Sequence, residues 1–155
     1  MTTGAEIPRT TTLSPDECWE LFRRGSIGRL AVWANEQPEI FPINYRIDGG
    51  DFIFRTGHGS KLAAALGQRV ALEADGVDKE GVIAWSVVVK GPAYRLDRTP
   101  EVLNSVGRLL VPWEAGKKDH FVRIVPESIS GRRFRIAAPL AWGGRLDDAM
   151  RAGLE

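Results

Sequence analysis

The residues best equipped for chemistry lie in FRTGHGSKLAAALG, residues 54–67. Arg55 and Thr56 end a stretch with strand periodicity, Gly57 and Gly59 make a tight turn, and Ser60 caps a short helix that opens with Lys61 and stops at Gly67. A helix start presents unpaired N–H groups and the positive end of the peptide dipole, both of which draw anions. Arg55 adds a planar fork of donors, Lys61 a point charge, and the Thr56 and Ser60 hydroxyls two further donors. Such a set suits a dianionic phosphate ester. An ordinary capped surface helix carrying two solvated cations accounts for the same residues, so spacing alone leaves both readings open.

Three more segments place polar groups where a strand would present them. Pro42 interrupts a strand in which Phe41, Ile43, Tyr45 and Ile47 alternate with Asn44 and Arg46. A proline donates nothing to a ladder, so this strand is an edge or lacks a partner over part of its length. Backbone groups near Ile43 and Asn44 are then available to a ligand, unless the proline only blunts the edge. In GVIAWSVVVKG, residues 81–91, Trp85, Val87 and Val89 share one face, and Ser86 is the short hydrogen-bonding group in the middle of the other. In SGRRFRI, residues 130–136, Arg133 and Arg135 face together while Arg132 faces the other way beside Phe134. A solvated arginine pair and an anion clamp are both compatible with that pattern.

Self-sufficient catalytic motifs are missing. The chain has no GxSxG elbow, GxGxxG or GxxxxGK[ST] loop, and no HExxH pair. Glu73, Asp75 and Asp97 read as carboxylates scattered over strand ends, with no spacing that marks a general acid and base. If the protein is an enzyme, a bound cofactor must carry the reactive group.

The elements that position these residues follow from periodicity. Ser14 as N-cap, Pro15 at the first helical position and Glu17 as the closing member of a capping box start a helix, with Leu13 and Cys18 as a hydrophobic staple. Cys18, Leu21 and Phe22 form its apolar face, and Gly25 is expected as a left-handed stop. The period then becomes two. Strands are predicted over 27–33, through Phe41–Ile47, over 52–56, 70–75, 82–90, 93–96, 120–125 and 129–136. A loop over 35–38 and a hairpin turn at Asp48–Gly50 join the early ones, and Gly91 with Pro92 marks a bulge or bend. A further helix starts at Thr99 and Pro100. Short strands with helices of two or three turns between them favour a mainly β fold, an antiparallel barrel with helical attachments, over a doubly wound parallel sheet.

Composition sets limits of a different kind. With 155 residues, 43% hydrophobic and 26% charged, the chain suits one globular domain that buries a real core. A formal net charge of +1 gives no broad field for nucleic acid or an anionic membrane. A single cysteine excludes an internal disulfide and a cysteine metal cluster, and the two histidines add little to any metal site. The longest apolar stretch, VIAWSVVV, is strand-length, and MTTGAEIPRTTT lacks the apolar core of a secretory signal, which together point to the cytoplasm.

Taken in order, GRLAV, EIFPINY, FRTGHGSKL, WSVVVKG and ISGRRF resemble the small single-domain members of the pyridoxamine 5'-phosphate oxidase-like family, whose fold is the FMN-binding split barrel. The resemblance implies a barrel domain over 13–137, between a flexible segment over 1–12 and a C-terminal tail over 138–155 with room for a short helix. It implies FMN, its phosphate on Arg55, Thr56, Ser60 and Lys61, and its ring against the backbone of Pro42, Ile43 and Asn44 and against Ser86. A homodimer is implied as well, the flavin lying between subunits and the partner contributing near Arg132. The chain departs from the family near the last strand: the Arg-x-His clamp of the oxidases that act on pyridoxamine phosphate has no histidine in Gly131–Arg135, and the tryptophan that often precedes that clamp is missing too. That argues against vitamin B6 oxidation and for redox chemistry on another small organic molecule. A deazaflavin-dependent reductase and a non-catalytic module holding flavin or haem are the alternatives.

Overall fold

The computed structural model describes residues 10–56, 65–96 and 120–136, most of them in strands. The elements are β1 (Thr10–Thr12), α1 (Pro15–Arg24), β2 (Ile27–Ala34), β3 (Gln37–Asp48), β4 (Asp51–Thr56), β5 (Arg69–Val77), β6 (Ile83–Leu96), β7 (His120–Ile124) and β8 (Ser128–Arg135). Residues 60–64 of the helix expected from Ser60, Ser60 and Lys61 among them, and the helix expected from Thr99 lie outside the described residues; Ala65 and Leu66, expected to end the first, lie in a turn with Gly67 at φ 77°.

Strands β6, β5, β2, β3, β4 and β7 pair in that order, and β7 pairs back onto β6, so the antiparallel sheet closes into a barrel. Outward from β6 the sheet continues through β8 to β1. Residues 10–12, assigned from sequence to a flexible segment, instead form β1 and pair with Phe134, Arg133 and Arg132. Three β-branched threonines suit that edge position.

Two hairpins set the register. Gly49 and Gly50, at φ 58° and 85°, turn β3 into β4. Asn35 and Glu36, at φ 55° and 62°, turn β2 into β3, so the expected four-residue loop contracts to two. Gln37 and Pro38 belong to β3, opposite Ala34 and Trp33. Positive φ at both central residues gives a turn whose twist matches the flanking strands, which explains the tighter connection.

The irregularity expected at Gly91 and Pro92 falls on the opposite strand. β6 runs through both residues, but Lys90 faces Ser128 while Ala93 faces Ile124, so three residues, 125–127, oppose two. That is a β-bulge, pinned by the Val125 N–H donating to Pro92 O at 3.0 Å and the Glu127 N–H donating to Lys90 O at 2.8 Å. Glycine is needed at 91 because a Cβ there would collide with the Val125 carbonyl.

Helix α1 seals one end of the barrel. Ser14 Oγ accepts from the Glu17 N–H at 3.3 Å and the Glu17 carboxylate accepts from the Ser14 N–H at 2.8 Å, completing the box. Those bonds hold the Glu17 carboxyl below its ordinary range. Cys18, Leu21 and Phe22 are buried. The Phe22 ring meets Phe52 edge-on at 4.8 Å and Tyr45 at 5.9 Å, and Trp19 stacks on Phe52 at 5.2 Å. The Tyr45 hydroxyl donates to the Phe22 carbonyl at 2.6 Å, and burial pushes its pKa up to about 12.

Gly25 does not supply a left-handed stop, since its backbone is extended at φ −88° and ψ 166°. Its role is spatial: a Cβ would lie 2.8 Å from the Tyr45 hydroxyl oxygen. Gly25→Ala should therefore cost about 1–3 kcal/mol of stability as an overpacking change. In a Tyr45→Phe background the same change should cost about 0.5 kcal/mol or less, because the obstructing oxygen is gone. Urea unfolding of the four-member cycle measures this, and equal penalties in both backgrounds would refute the steric reading.

Candidate functional site

The period of two sorts the strand residues into a buried inner set and an outer set. Leu30, Val32, Ile43, Tyr45, Leu72, Ala74, Val87 and Val89 are buried, so the intervening residues face outward. Register then fixes which outward residues are neighbours. Pro42 stands opposite Arg29, Arg29 opposite Glu73, Asp75 opposite Ser86, and Ser86 opposite Arg132. Asn44, opposite Ile27, shares this face. Four residues expected at the site, Pro42, Asn44, Ser86 and Arg132, are thus on one outer surface although they come from three strands far apart in sequence. The Ile43 side chain points inward at 6% exposure, which leaves only its backbone for a ligand.

The end of one ladder joins this surface to the expected anion site. Pairing of β3 with β4 runs from Asp48 opposite Asp51 to Tyr45 opposite Phe54 and stops there. Continued by two residues, the register would set Ile43 against Thr56. The backbone around Pro42–Asn44 therefore lies level with the end of β4, where the chain leaves toward Ser60. This end of the ladder is consistent with Pro42, which has no N–H to extend it. At that strand end Thr56 is nearly buried, and the Arg55 guanidinium lies over the Phe121 ring at 5.3 Å. Thr56 stands opposite His120, whose Nδ1 accepts from Arg95 Nη2 at 2.6 Å. Arg95 and His120 come from strands distant in sequence, and no local spacing marks them.

A charged group lies at the centre of the outer face, where sequence spacing does not place one. Glu73 and Asp75 are not scattered over strand ends. They occupy the middle of β5, two residues apart and on one face, and both hold Arg29 of β2: Arg29 Nε to Glu73 Oε2 at 3.1 Å and Arg29 Nη2 to Asp75 Oδ1 at 2.6 Å. Burial, and next the neighbouring Asp75, push the Glu73 carboxyl above its ordinary range despite the arginine. The alternation in LEAD, residues 72–75, carries the signal that both carboxylates share a face. Asp97 lies outside the described residues.

Apolar side chains surround the charges. Ile27 and Trp33 share the face of Arg29, Ile40 stands opposite Ala31, Val77 follows Asp75 and Phe134 follows Arg132. All five are exposed, Trp33 at 64% and Ile40 at 66%. So much apolar surface on one face of a protein is a mark of a binding surface. Among the described residues, no helix is long and apolar enough to cross a membrane.

Residues 14–133 match the family model described as pyridoxamine 5'-phosphate oxidase, and the chain belongs to that family. An uncharacterized protein of Mycobacterium tuberculosis strain H37Rv is 35% identical over 127 residues, a match covering 78% of this chain and 83% of the relative. Among solved structures, the FAD binding protein from Mycobacterium smegmatis is 36% identical, with a TM-score of 0.66 and coverage of 81% of this chain and 99% of that one. A FAD-binding protein from Mesorhizobium loti is 27% identical, with a TM-score of 0.63 and coverage of 80% and 97%. The split-barrel fold is therefore that of a family with flavin-binding members.

The raised Glu73 carboxyl has a consequence for the ligand-free protein. A folded pKa above the unfolded value means that the folded state holds the proton more tightly. The associated stability is present below about pH 4.3, the unfolded value, and is lost as pH rises through the folded one. Glu73→Gln removes the titration. Relative to wild type, it is expected to gain stability between about pH 4 and about pH 7. Chemical unfolding at the two pH values checks the sign, and a variant that loses ground toward neutral pH would contradict it.

Proposed function

We propose that the protein is a flavin-dependent oxidoreductase that holds FMN on the outer barrel face and acts, as a cytoplasmic homodimer, on a small organic molecule. The observation that carries this reading is the meeting of Pro42, Asn44, Ser86 and Arg132 on one surface, level with the strand end that leads to the cationic turn. Their chemistry fits the cofactor. Arg55, Thr56, Ser60 and Lys61 would bind its phosphate. Backbone groups of Pro42, Ile43 and Asn44, with the Ser86 hydroxyl, would orient the ring edge. Bound flavin supplies hydride transfer, for which no protein side chain substitutes. The chain's own part is to fix the phosphate by charge, hold the ring flat against the sheet and exclude water from one side.

The exposed apolar set supports the dimer. Ile27, Trp33, Ile40, Val77 and Phe134 ring the same face, so a second copy laid across it would bury them and close the flavin between subunits. Arg132 stands at that border and would reach the partner's flavin. The missing histidine in Gly131–Arg135 argues for a substrate other than pyridoxamine phosphate.

A second reading, FAD in place of FMN, has one observation in its favour. Arg95 and the His120 ring add donors beside Thr56 beyond those that one phosphate needs. The 36% identical M. smegmatis protein, described as FAD binding, points the same way.

The visible spectrum of freshly purified protein, before and after adding FMN or FAD, distinguishes flavin from deazaflavin, haem or nothing. Replacing Arg55 and Lys61 together by Ala should weaken FMN binding at least about 100-fold, as expected for two charge-assisted contacts. Unchanged affinity in a folded double variant would remove the phosphate assignment. Val77→Glu with Phe134→Glu is expected to convert a dimer to a monomer in sedimentation and to release flavin with it. A monomeric wild-type protein would end the dimer proposal.

A further inference from the structure

The Arg29, Glu73 and Asp75 group lies between the two parts of the proposed ring site, yet neither the fold nor flavin binding requires it to carry that charge. From Pro42 the register passes to Arg29 on β2, then to Glu73 and Asp75 on β5, then to Ser86 on β6. One guanidinium meets two carboxylates, at 3.1 and 2.6 Å, so the group carries one negative charge in excess. In water that excess is cheap. Under a flat apolar body it is not, because solvent no longer screens the two carboxylates from each other.

Resting on the flavin reading above, we propose that Glu73 is a proton-linked sensor of ring binding: it takes up one proton from solvent when the flavin covers this face. The proton arrives on a carboxylate oxygen and leaves Arg29 paired with Asp75 alone, a neutral couple. Glu73 is the member that accepts it because its side chain is less exposed than that of Asp75, 29% against 54%, and Asp75 makes the shorter contact to the arginine. Its elevated affinity for a proton in the open protein points the same way. Charges facing it from the packed strands are Arg29 on β2 and Asp75 on β5. Lys90 on β6, opposite Ala71, and Arg132 on β8, opposite Ser86, stand a further step away in register. Arg69 on β5 is engaged by Glu127 at 2.9 Å.

The test is calorimetric titration of flavin-stripped full-length protein with FMN and with FAD, each in buffers of different ionisation enthalpy, from about pH 5 to about pH 8. FAD has no phosphate monoester to titrate in this range, so it separates protein protons from ligand protons. Wild type is expected to take up close to one proton per site, with affinity falling up to about tenfold per pH unit within the window. Glu73→Gln should bind with no such uptake and no such slope. Asp75→Asn removes the excess charge in another way, and its uptake should vanish too, which covers the case of a poorly folded Glu73 variant. A carbon-13 signal from the Glu73 carboxyl should move to its protonated position on binding. Tight flavin binding with no proton uptake, or uptake that survives both substitutions, overturns this proposal and leaves the flavin reading intact. Failure of both nucleotides to bind overturns both.

Discussion

Closure of the barrel depends on the backbone of Val125 lying directly against Gly91. β6 is long enough to serve three neighbours because the strand beside it gains a residue at 125–127, and that gain is possible only where position 91 has no side chain. Before the bulge the chain belongs to β7 and closes the barrel against β4. After it, the same chain becomes β8 and extends the sheet outward. The register of β8 follows, and with it the placement of Arg132 beside Ser86. A one-residue slip would turn every β8 side chain to the opposite face, so a steric fact at one glycine decides which groups the outer surface presents.

Inner and outer faces are under different demands. Inside, Leu30, Phe52, Leu72, Val87, Val89 and Ile124 are fully buried, with Phe22 and Tyr45 closing the end beneath α1. Burial of that kind, at roughly 25 cal/mol per Å² of apolar surface, is sufficient reason for the inner residues to be apolar. No such reason applies outside. Trp33, Ile40, Val77 and Phe134 contribute nothing to the core, and their exposure is unfavourable unless another body covers them. The charged group among them fits the same view. A solvated surface arginine has no need of two carboxylates aligned by register; on a face that is to be covered, Arg29 offsets one of the two and leaves a single charge to be met.

Legibility in the sequence followed the range of the interaction. The capping box at Ser14 and Glu17, the Gly49–Gly50 turn and the alternation of each strand are set by neighbours within a few residues, and these were readable. So was Pro42, whose missing N–H marks where the β3–β4 pairing is incomplete. The two-residue turn at Asn35–Glu36 was hidden because glutamate rarely takes positive φ, so nothing distinguished it from a longer loop. Gly25 looked like a helix stop by position, while its cause is the Tyr45 hydroxyl twenty residues on. Gly91 and Pro92 mark the bulge in the sequence, although the extra residue sits on the strand opposite. Arg29 with Glu73 and Asp75, and Arg95 with His120, depend on pairings between distant strands and leave no local trace.

The outer face combines properties that seldom occur together on an uncovered surface. Its rim is apolar, its centre holds one arginine between two carboxylates, and one edge leads to the strand end at Thr56. A flat aromatic ligand with an anionic tail suits that arrangement better than a peptide or nucleic acid would. A peptide would require open backbone edges along its length, and a nucleic acid would require unpaired cations spread over the face. Here Arg29 is already engaged by Glu73 and Asp75. On the proposed reading the ring would lie over the Arg29 group and the tail would meet Arg55, so affinity would come from dispersion along the sheet and charge at its end.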